Sequence, residues 1–169
     1  VLAARSAAST GIPMNSALAV GITSLGKYHG GAIEPCASLL ESNKSALEIV
    51  EEALEKKERL SGFGHKVYTD FDPRTRKLFE MAEDLGLKCE YCEKALEIEK
   101  ILEEKKGRKL CLNVDGAIAA ILLEMGFPSS MGNLFFSMPR AFGLGAHVHE
   151  EQTSEKPVRR LEKSEYLGK

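Results

Sequence analysis

Three side chains in this sequence have the types and settings that general acid–base catalysis requires. His29 is followed by two glycines, which allow a tight turn and the close approach of a ligand. His65 follows a Gly-Phe-Gly segment, and Asp115 precedes Gly116 where a helix is expected to begin. Imidazole and carboxylate groups commonly move protons in active sites. Each residue alone also has an ordinary explanation, because loop histidines are usually surface or hydrogen-bonded residues and an Asp at a helix start is usually an N-cap.

Helices are the elements that must position these residues, since apolar side chains recur at three- and four-residue spacing along most of the chain. Ser45 with Glu48 predicts a capping box, and Asp72 followed by Pro73 predicts a second helix start. The helix after Pro73 is expected to pack through Leu78, Ala82 and Leu85. The sequence therefore predicts an all-α protein.

Two segments interrupt the helical pattern and contain two of the three candidate residues. Residues 61–74 are rich in glycine and then polar, and residues 112–116 contain the Asp-Gly pair. Only residues 109–114 alternate in the manner of a short strand. Loops held between helices often carry function, so we expect the chemistry at these two segments.

The bulk composition excludes several classes of protein. The chain has 169 residues, of which 43% are hydrophobic, enough for a buried core. A formal net charge of -2 argues against a dedicated nucleic-acid binder. No apolar run approaches the roughly 20 residues that span a bilayer, and no signal peptide is visible. We therefore expect a soluble, cytoplasmic protein without membrane or nucleic-acid partners. Because the chain begins without Met in an apparent helix, we also expect a segment upstream.

The cysteines and the remaining histidines give weaker indications. Cys89 and Cys92 have the spacing of a redox pair or half a zinc site, but no second pair accompanies them. His147 and His149 are two apart on a predicted helix, so they point to different faces. We predict free thiols and no metal site.

Four segments, taken in order, resemble the citrate synthase superfamily. Residues 17–32 are similar to the segment that carries the first catalytic histidine of that family, and residues 62–74 to its second-histidine loop. Residues 113–115, Asn-Val-Asp, resemble its catalytic-aspartate motif. Residues 139–143, Pro-Arg-Ala-Phe-Gly, resemble a later segment whose arginine binds a substrate carboxylate. The resemblance covers almost the whole chain.

The resemblance implies a reaction that joins or separates an acetyl-CoA unit and oxaloacetate. Asp115 would take the methyl proton of acetyl-CoA while His29 hydrogen-bonds the developing enolate oxygen. His65 would protonate the oxaloacetate carbonyl oxygen, or accept the citryl hydroxyl proton in the cleavage direction. This chemistry implies no metal and no tightly bound cofactor, with coenzyme A as a cosubstrate.

The resemblance also suggests the residues that bind the substrates. Carboxylate recognition favours arginine, so Arg74 and Arg140 are the candidates, with Arg159 or Arg160 reaching the site of a partner subunit. Arg159 and Arg160 have exposed, solubilising charge as the alternative explanation. The candidate coenzyme A residues are Gly62, Phe63, Gly64, Lys66, Val67, Lys106, Arg108, Lys109 and Asn113. Solvated basic residues are common, which weakens the assignment of the lysines and Arg108.

Within the superfamily, residues 110–119 are closer to citryl-CoA lyases and to the lyase module of ATP-citrate lyase. Ordinary citrate synthases usually have a bulkier residue where this chain has Gly116. His29, conversely, is the residue that citrate synthases use. A stand-alone citryl-CoA lyase fits both features. The alternatives are a citrate or 2-methylcitrate synthase, a coenzyme A-binding subunit that is inactive without a partner chain, and a purely structural helical protein.

The resemblance further implies the architecture of the enzyme. We expect a homodimer whose subunits each have two helical lobes, with the active site in the cleft between the lobes and shared between subunits. Residues 1–35 and 128–169 would belong to the larger lobe, and residues 36–127 to the smaller one.

Overall fold

A computed structural model describes residues 1–158, so the predicted roles of Arg159 and Arg160 lie outside the described residues. Its helices are α1 (Leu2–Ser9), α2 (Met14–Thr23), α3 (Ile33–Glu41), α4 (Ala46–Glu55), α5 (Pro73–Asp84), α6 (Glu90–Lys106), α7 (Val114–Glu124) and α8 (Gly132–Ser154). A short 3₁₀ turn, Ser129–Met131, precedes α8. The predicted all-α fold is confirmed.

The strand expected at residues 109–114 does not form. Only Leu112 of this segment is paired, in an isolated antiparallel bridge with Phe63. The next residue, Asn113, already caps α7 with its side chain, so the backbone turns into a helix before a ladder can extend. The alternating polarity of residues 109–114 therefore accompanies a single point of pairing between this segment and the loop that contains Phe63.

The chain divides into two compact units. The first unit combines Val1–Gly26 with the described residues from Phe136 onward, and the second unit is Lys27–Phe135. The boundaries expected from the sequence, after residues 35 and 127, both fall inside the second unit. The assignment of these parts to a larger and a smaller lobe stays a prediction.

Small side chains hold the first unit together. Ala4, Ala8 and Ala17 form a buried cluster with Leu144 and Val148 of α8. Gly21 extends this close packing, since a Cβ atom there would lie 2.9 Å from the Cβ of Ala4. Helices approach one another closely where alanine and glycine line the contact, so little space separates α1 from α2.

The second unit packs α7 against α3, α5 and α6. Both predicted helix starts are confirmed: Ser45 and Glu48 form a reciprocal capping box, and Asp72 caps α5 with Pro73 as its first residue. The apolar face expected for α5 is wrong at Leu85, which is 78% exposed. Leu85 follows the last residue of α5 and leaves the packed face of the helix. Thr75 is buried instead.

None of the helices within residues 1–158 is long and apolar enough to cross a membrane.

Candidate active site

Main-chain hydrogen bonds join the two irregular segments of the second unit. The N–H of Gly64 donates to the carbonyl of Cys111 at 2.7 Å, and the N–H of Asn113 donates to the carbonyl of Gly62 at 2.9 Å. These bonds flank the bridge between Phe63 and Leu112. The loop that carries His65 therefore lies directly beside the start of α7.

Glycines make this close approach possible. A Cβ atom on Gly116 would lie 2.7 Å from the carbonyl oxygen of Gly62, and one on Gly62 would lie 2.9 Å from the Cα of Gly116. Gly62 also has φ +89°, a conformation that other residues rarely adopt. On its other side, a Cβ on Gly62 would meet the sulfur of Cys36 at 2.5 Å. The absence of side chains at Gly62 and Gly116 thus sets the spacing between the two segments.

Asn113, rather than Asp115, caps α7. The Oδ1 atom of Asn113 accepts hydrogen bonds from the N–H groups of Asp115 at 3.0 Å and Gly116 at 3.2 Å. Its Nδ2 atom donates to the carbonyl of Gly64 at 2.9 Å, which ties the cap to the His65 loop. The ordinary explanation of Asp115 as the N-cap is therefore wrong. Its half-buried carboxylate occupies the first turn of α7, where the helix dipole favours negative charge.

The ring of His65 is oriented by its own loop. Its Nδ1 atom accepts hydrogen bonds from the N–H groups of Val67 at 3.0 Å and Tyr68 at 3.1 Å. The ring also stacks on Tyr68, with 4.8 Å between centroids. Since Nδ1 accepts these bonds, we infer that the proton of the neutral ring is on Nε2. His65 therefore presents an N–H donor on its exposed side.

Arg74 lies beside that donor. Its Nη2 atom is 3.4 Å from His65 Nε2, and because both atoms are then N–H donors this is a contact and not a hydrogen bond. The guanidinium group of Arg74 lies 5.4 Å from the centroid of the Tyr68 ring. Hydrogen bonding to Asp72 raises the pKa of Arg74 above its ordinary value, and the charge of Asp115 adds to this increase. The second unit thus brings His65, Arg74 and Asp115 into one electrostatic neighbourhood.

Asp72 is the residue of this site that the sequence identified only as a helix cap. Its side chain is fully buried, and it accepts three hydrogen bonds from Arg74 and one from the N–H of Val114. Burial opposes ionisation, but the bonds from Arg74 and Val114 outweigh it and hold the pKa of Asp72 below its usual range. Its position two residues before a candidate substrate-binding arginine is the signal that could have indicated a second role.

His29 lies in the connection between α2 and α3, and its side chain is exposed. The helix that follows it, α3, packs against α7. On α3, burial raises the pKa of Cys36 to about 12, and the carboxylate of Asp115 contributes to the increase. The His29 segment therefore leads into the helix that Asp115 faces.

A basic cavity of about 360 Å³ adjoins His65. Of the residues predicted to bind coenzyme A, those that line it are Phe63, Gly64, Lys66, Lys106 and Arg108. Arg59 also lines the cavity and was missed, although it is a basic residue just before the glycine-rich loop. The lining also contains the carboxylate of Glu58, so four cationic side chains face one anionic one, and this excess of positive charge suits a phosphate-bearing ligand.

The other predicted coenzyme A residues lie outside the lining of that cavity. The ammonium group of Lys109 pairs with Asp70 at 3.1 Å, and Val67 is 75% exposed. Gly62 and Asn113 hold the backbone crossing described above. Their part in ligand binding stays a prediction.

Arg140 belongs to the first unit and is exposed. Its Nη1 atom donates to the carbonyl of Phe136 at 3.1 Å, and its guanidinium group lies 3.8 Å from the centroid of the Phe136 ring. His147 pairs with Glu150 at 3.5 Å. The four cysteines are free thiols, as predicted. Within the part of the chain that is described, no group of three or more His, Cys, Asp or Glu side chains is arranged to hold a metal ion.

A comparison of the sequence with known protein families finds one match. The family model for the C-terminal domain of citrate synthase matches residues 1–161. The chain belongs to the citrate synthase family. The resemblance inferred from the sequence motifs is thereby confirmed.

Individual relatives refine this membership. The chain is 37% identical over 150 residues to a citrate synthase of Synechocystis sp., covering 85% of this chain and 38% of the relative. It is 44% identical to the solved structure of citryl-CoA lyase from Hydrogenobacter thermophilus, with a TM-score of 0.91, covering 99% of this chain and 68% of that one. ATP citrate lyase from Methanothrix soehngenii, solved in complex with citrate and coenzyme A, is 25% identical with a TM-score of 0.80, over 99% and 30% of the two chains.

The chain is shorter than the curated citrate synthases that it matches. It spans between 31% and 38% of the length of three citrate synthases that it matches.

Proposed function

We propose that this protein cleaves citryl-CoA into acetyl-CoA and oxaloacetate by acid–base catalysis through an enol or enolate. The observation that carries the proposal is the grouping of His65, Arg74 and Asp115 at the crossing of two loops, beside a basic cavity. The similarity to a citryl-CoA lyase at 44% identity supports the cleavage direction.

Each residue has a defined part in the proposed reaction. Arg74 binds a carboxylate of the citryl group, and His65 contacts the hydroxyl oxygen that becomes the carbonyl of oxaloacetate. When the carbon–carbon bond breaks, the electron pair passes to the thioester as an enolate, whose oxygen His29 stabilises. Asp115, which begins the cleavage as the protonated acid, then gives its proton to the enolate carbon, which forms the methyl group of acetyl-CoA and leaves Asp115 as the carboxylate.

The hydrogen bonds of His65 add a condition to this mechanism. A ring that carries its proton on Nε2 donates to an oxygen and has no lone pair there to accept a proton. For cleavage, the neutral ring must accept the hydroxyl proton at Nε2, which requires the Nδ1 tautomer and the loss of the bonds from Val67 and Tyr68. Cleavage therefore involves a small rearrangement of residues 65–68.

That condition favours a second candidate, citrate synthase. In the condensation direction, the Nε2–H of His65 would polarise and protonate the carbonyl oxygen of oxaloacetate without a change of tautomer. The curated relatives named citrate synthase support the same direction. A 2-methylcitrate synthase would use the same groups with propionyl-CoA.

Two incubations of the purified protein test the direction. One contains citryl-CoA, and the product to measure is acetyl-CoA with oxaloacetate rather than free coenzyme A, which hydrolysis would also release. The other contains oxaloacetate with acetyl-CoA or propionyl-CoA, and free coenzyme A is measured. We expect faster turnover of citryl-CoA. Fast release of coenzyme A only in the second incubation would establish the synthase and contradict the lyase.

A coenzyme A-binding subunit without activity of its own is the outcome of a different class. It would bind coenzyme A without turning over either substrate mixture, and a partner chain would restore turnover. This outcome is included because the chain spans only 38% and 32% of the length of two curated citrate synthases. Homodimerisation, the cytoplasmic location and the placement of the site in a cleft stay predictions.

A further inference from the structure

Asp72 touches two parts of the candidate site that belong to different helices. Its Oδ1 atom accepts from the main-chain N–H of Arg74 at 3.0 Å and from Arg74 Nε at 2.9 Å. Its Oδ2 atom accepts from Arg74 Nη2 at 2.7 Å and from the N–H of Val114 at 3.1 Å. Arg74 belongs to α5, whereas Val114 is the first residue of α7 and directly precedes Asp115.

These contacts require a carboxylate. All four groups that point at Asp72 are N–H donors, so both of its oxygens must act as acceptors. An amide in this place would turn one NH₂ group toward a donor and lose at least one of the bonds. The side chain of Asp72 is fully buried, whereas that of Arg74 is 46% exposed, so the buried partner is the fixed one.

We propose that Asp72 is a positioning residue that holds Arg74 beside His65 and, through Val114, fixes the first turn of α7, which carries Asp115. The inference rests on the proposed function for the roles of Arg74 and Asp115. It adds that one buried carboxylate sets the distance between the group that binds the substrate carboxylate and the group that moves the proton. Reacting groups must be held closely, because misplacement by about 1 Å can cost about 100-fold in rate.

Three variants separate the two links. Arg74→Gln removes the guanidinium group and leaves the bond from Val114 to Asp72. Val114→Pro removes the N–H that binds Asp72, at a helix position where proline is well tolerated. Asn113 has ψ 176°, which suits a residue that precedes proline. Asp72→Asn disturbs both links.

Arg76→Gln is the matched control. It removes a positive charge from the same helix, but Arg76 is exposed and pairs only weakly, with Glu80 at 3.3 Å. We expect its substrate binding and turnover to stay within twofold of the unmodified chain.

The measurements are the Kd of oxaloacetate by calorimetry, kcat and KM in the active direction, and the Kd of coenzyme A. We expect Arg74→Gln to raise the Kd of oxaloacetate at least tenfold. Val114→Pro should lower kcat at least tenfold and change that Kd less than threefold. Asp72→Asn should do both, and the double variant with Arg74→Gln should bind oxaloacetate no more than twofold more weakly than Arg74→Gln alone. A purely structural role would not produce this division between Kd and kcat.

Several results would overturn the proposal. Asp72→Asn with normal oxaloacetate binding would remove the first link. The same conclusion would follow if the Kd of oxaloacetate in the double variant rose by the product of the two single-variant factors. Normal kcat in Val114→Pro would remove the second link. If Asp72→Asn fails to fold, Asp72→Glu and Val114→Pro still test the two links, and recovery of oxaloacetate binding in the Glu variant is expected. A chain that binds oxaloacetate without turnover would contradict the proposed function and leave the Asp72–Arg74 link testable by binding, whereas a chain that does not bind oxaloacetate contradicts both.

Discussion

The two units of this chain differ in how their buried polar groups relate to the candidate site. In the first unit, small side chains such as Ala4 and Ala17 let helices pack closely, and the buried carboxylate of Glu151 accepts a hydrogen bond from Arg5 at 2.6 Å. In the second unit, polar groups are part of the interior around the candidate site. Asp72 is buried there and connects two helices, and the side chain of Asn113 connects a helix start to a loop.

This contrast predicts where a substitution should change catalysis and where it should change only stability. Apolar packing has no direction, so a small defect in the first unit can relax in several ways. Hydrogen bonds are directional and short, so a change in the second unit moves specific donors and acceptors.

The largest expected effect comes from a substitution that removes chemistry and leaves both kinds of support intact. Asp115→Asn keeps the size of the side chain but abolishes the carboxylate that moves the proton, so kcat should fall by about 10² to 10⁴-fold. The cap of α7 comes from Asn113, so the free energy of unfolding should fall by no more than about 1 kcal/mol, from the lost charge at the helix start. Steady-state kinetics and chemical denaturation measure the two quantities.

A near-normal rate in Asp115→Asn would exclude this residue as the group that transfers the proton. A large loss of stability would instead mean that the carboxylate supports the fold, and the contrast with Asp72 would disappear.

Much of the fold and part of the site could be predicted from the sequence. The starts of α4 and α5 were predictable because capping residues act within one turn of the chain. The family motifs marked His29, His65 and Asp115 as candidates, because each lies in a short local pattern, and their catalytic roles stay predictions. These predictions needed no knowledge of distant contacts.

The rest depended on contacts between distant segments. The cap of α7 by Asn113 was missed because Asp, Asn and Ser compete for such positions, and the choice depends on which side chain also reaches Gly64. The second partner of Asp72 is 42 residues away, at Val114. The prediction of a strand at residues 109–114 was wrong for the same reason, since alternating polarity in the sequence cannot reveal whether a neighbouring strand is available for pairing.

Two glycine substitutions, one in each unit, test whether the units respond differently to an added methyl group. In the second unit, Gly62→Ala places a methyl group against Gly116 and forces an alanine to φ +89°. We expect a loss of stability of about 2 to 4 kcal/mol, from overpacking and backbone strain together. Because the loop must move away from α7, kcat/KM should also fall at least tenfold per folded molecule.

In the first unit, Gly21→Ala meets only side chains, at 2.9 Å from Ala4 and 3.1 Å from Leu144. The overpacking cost of about 1 to 3 kcal/mol is offset by about 1 kcal/mol of improved helix propensity. We expect kcat/KM per folded molecule to remain within twofold. Denaturation curves and active-site titration separate the two effects, and equal losses of activity in both variants would show that the units do not differ in this respect.

The smallest expected effect is the contribution of Asp72 to the pH dependence of stability. Bonds from Arg74 and Val114 hold the pKa of Asp72 below the ordinary value, about 3.9 for Asp in an unfolded chain. A carboxyl whose pKa is lower in the folded state stabilises that state at pH values above the pKa of the unfolded chain. This contribution is lost as the pH falls through the pKa of the folded state.

Asp72→Asn cannot titrate, so its deficit in unfolding free energy should be largest near neutral pH and shrink as the pH falls below about 4. Gly21→Ala removes no ionisable group, so its deficit should be the same throughout. Denaturation measured from pH 7 to pH 3 distinguishes the two variants. A deficit that stays constant with pH for Asp72→Asn would mean that the charge of this residue contributes nothing to stability, since only a change in protonation can make the deficit depend on pH. The four N–H donors around Asp72 would then need another acceptor.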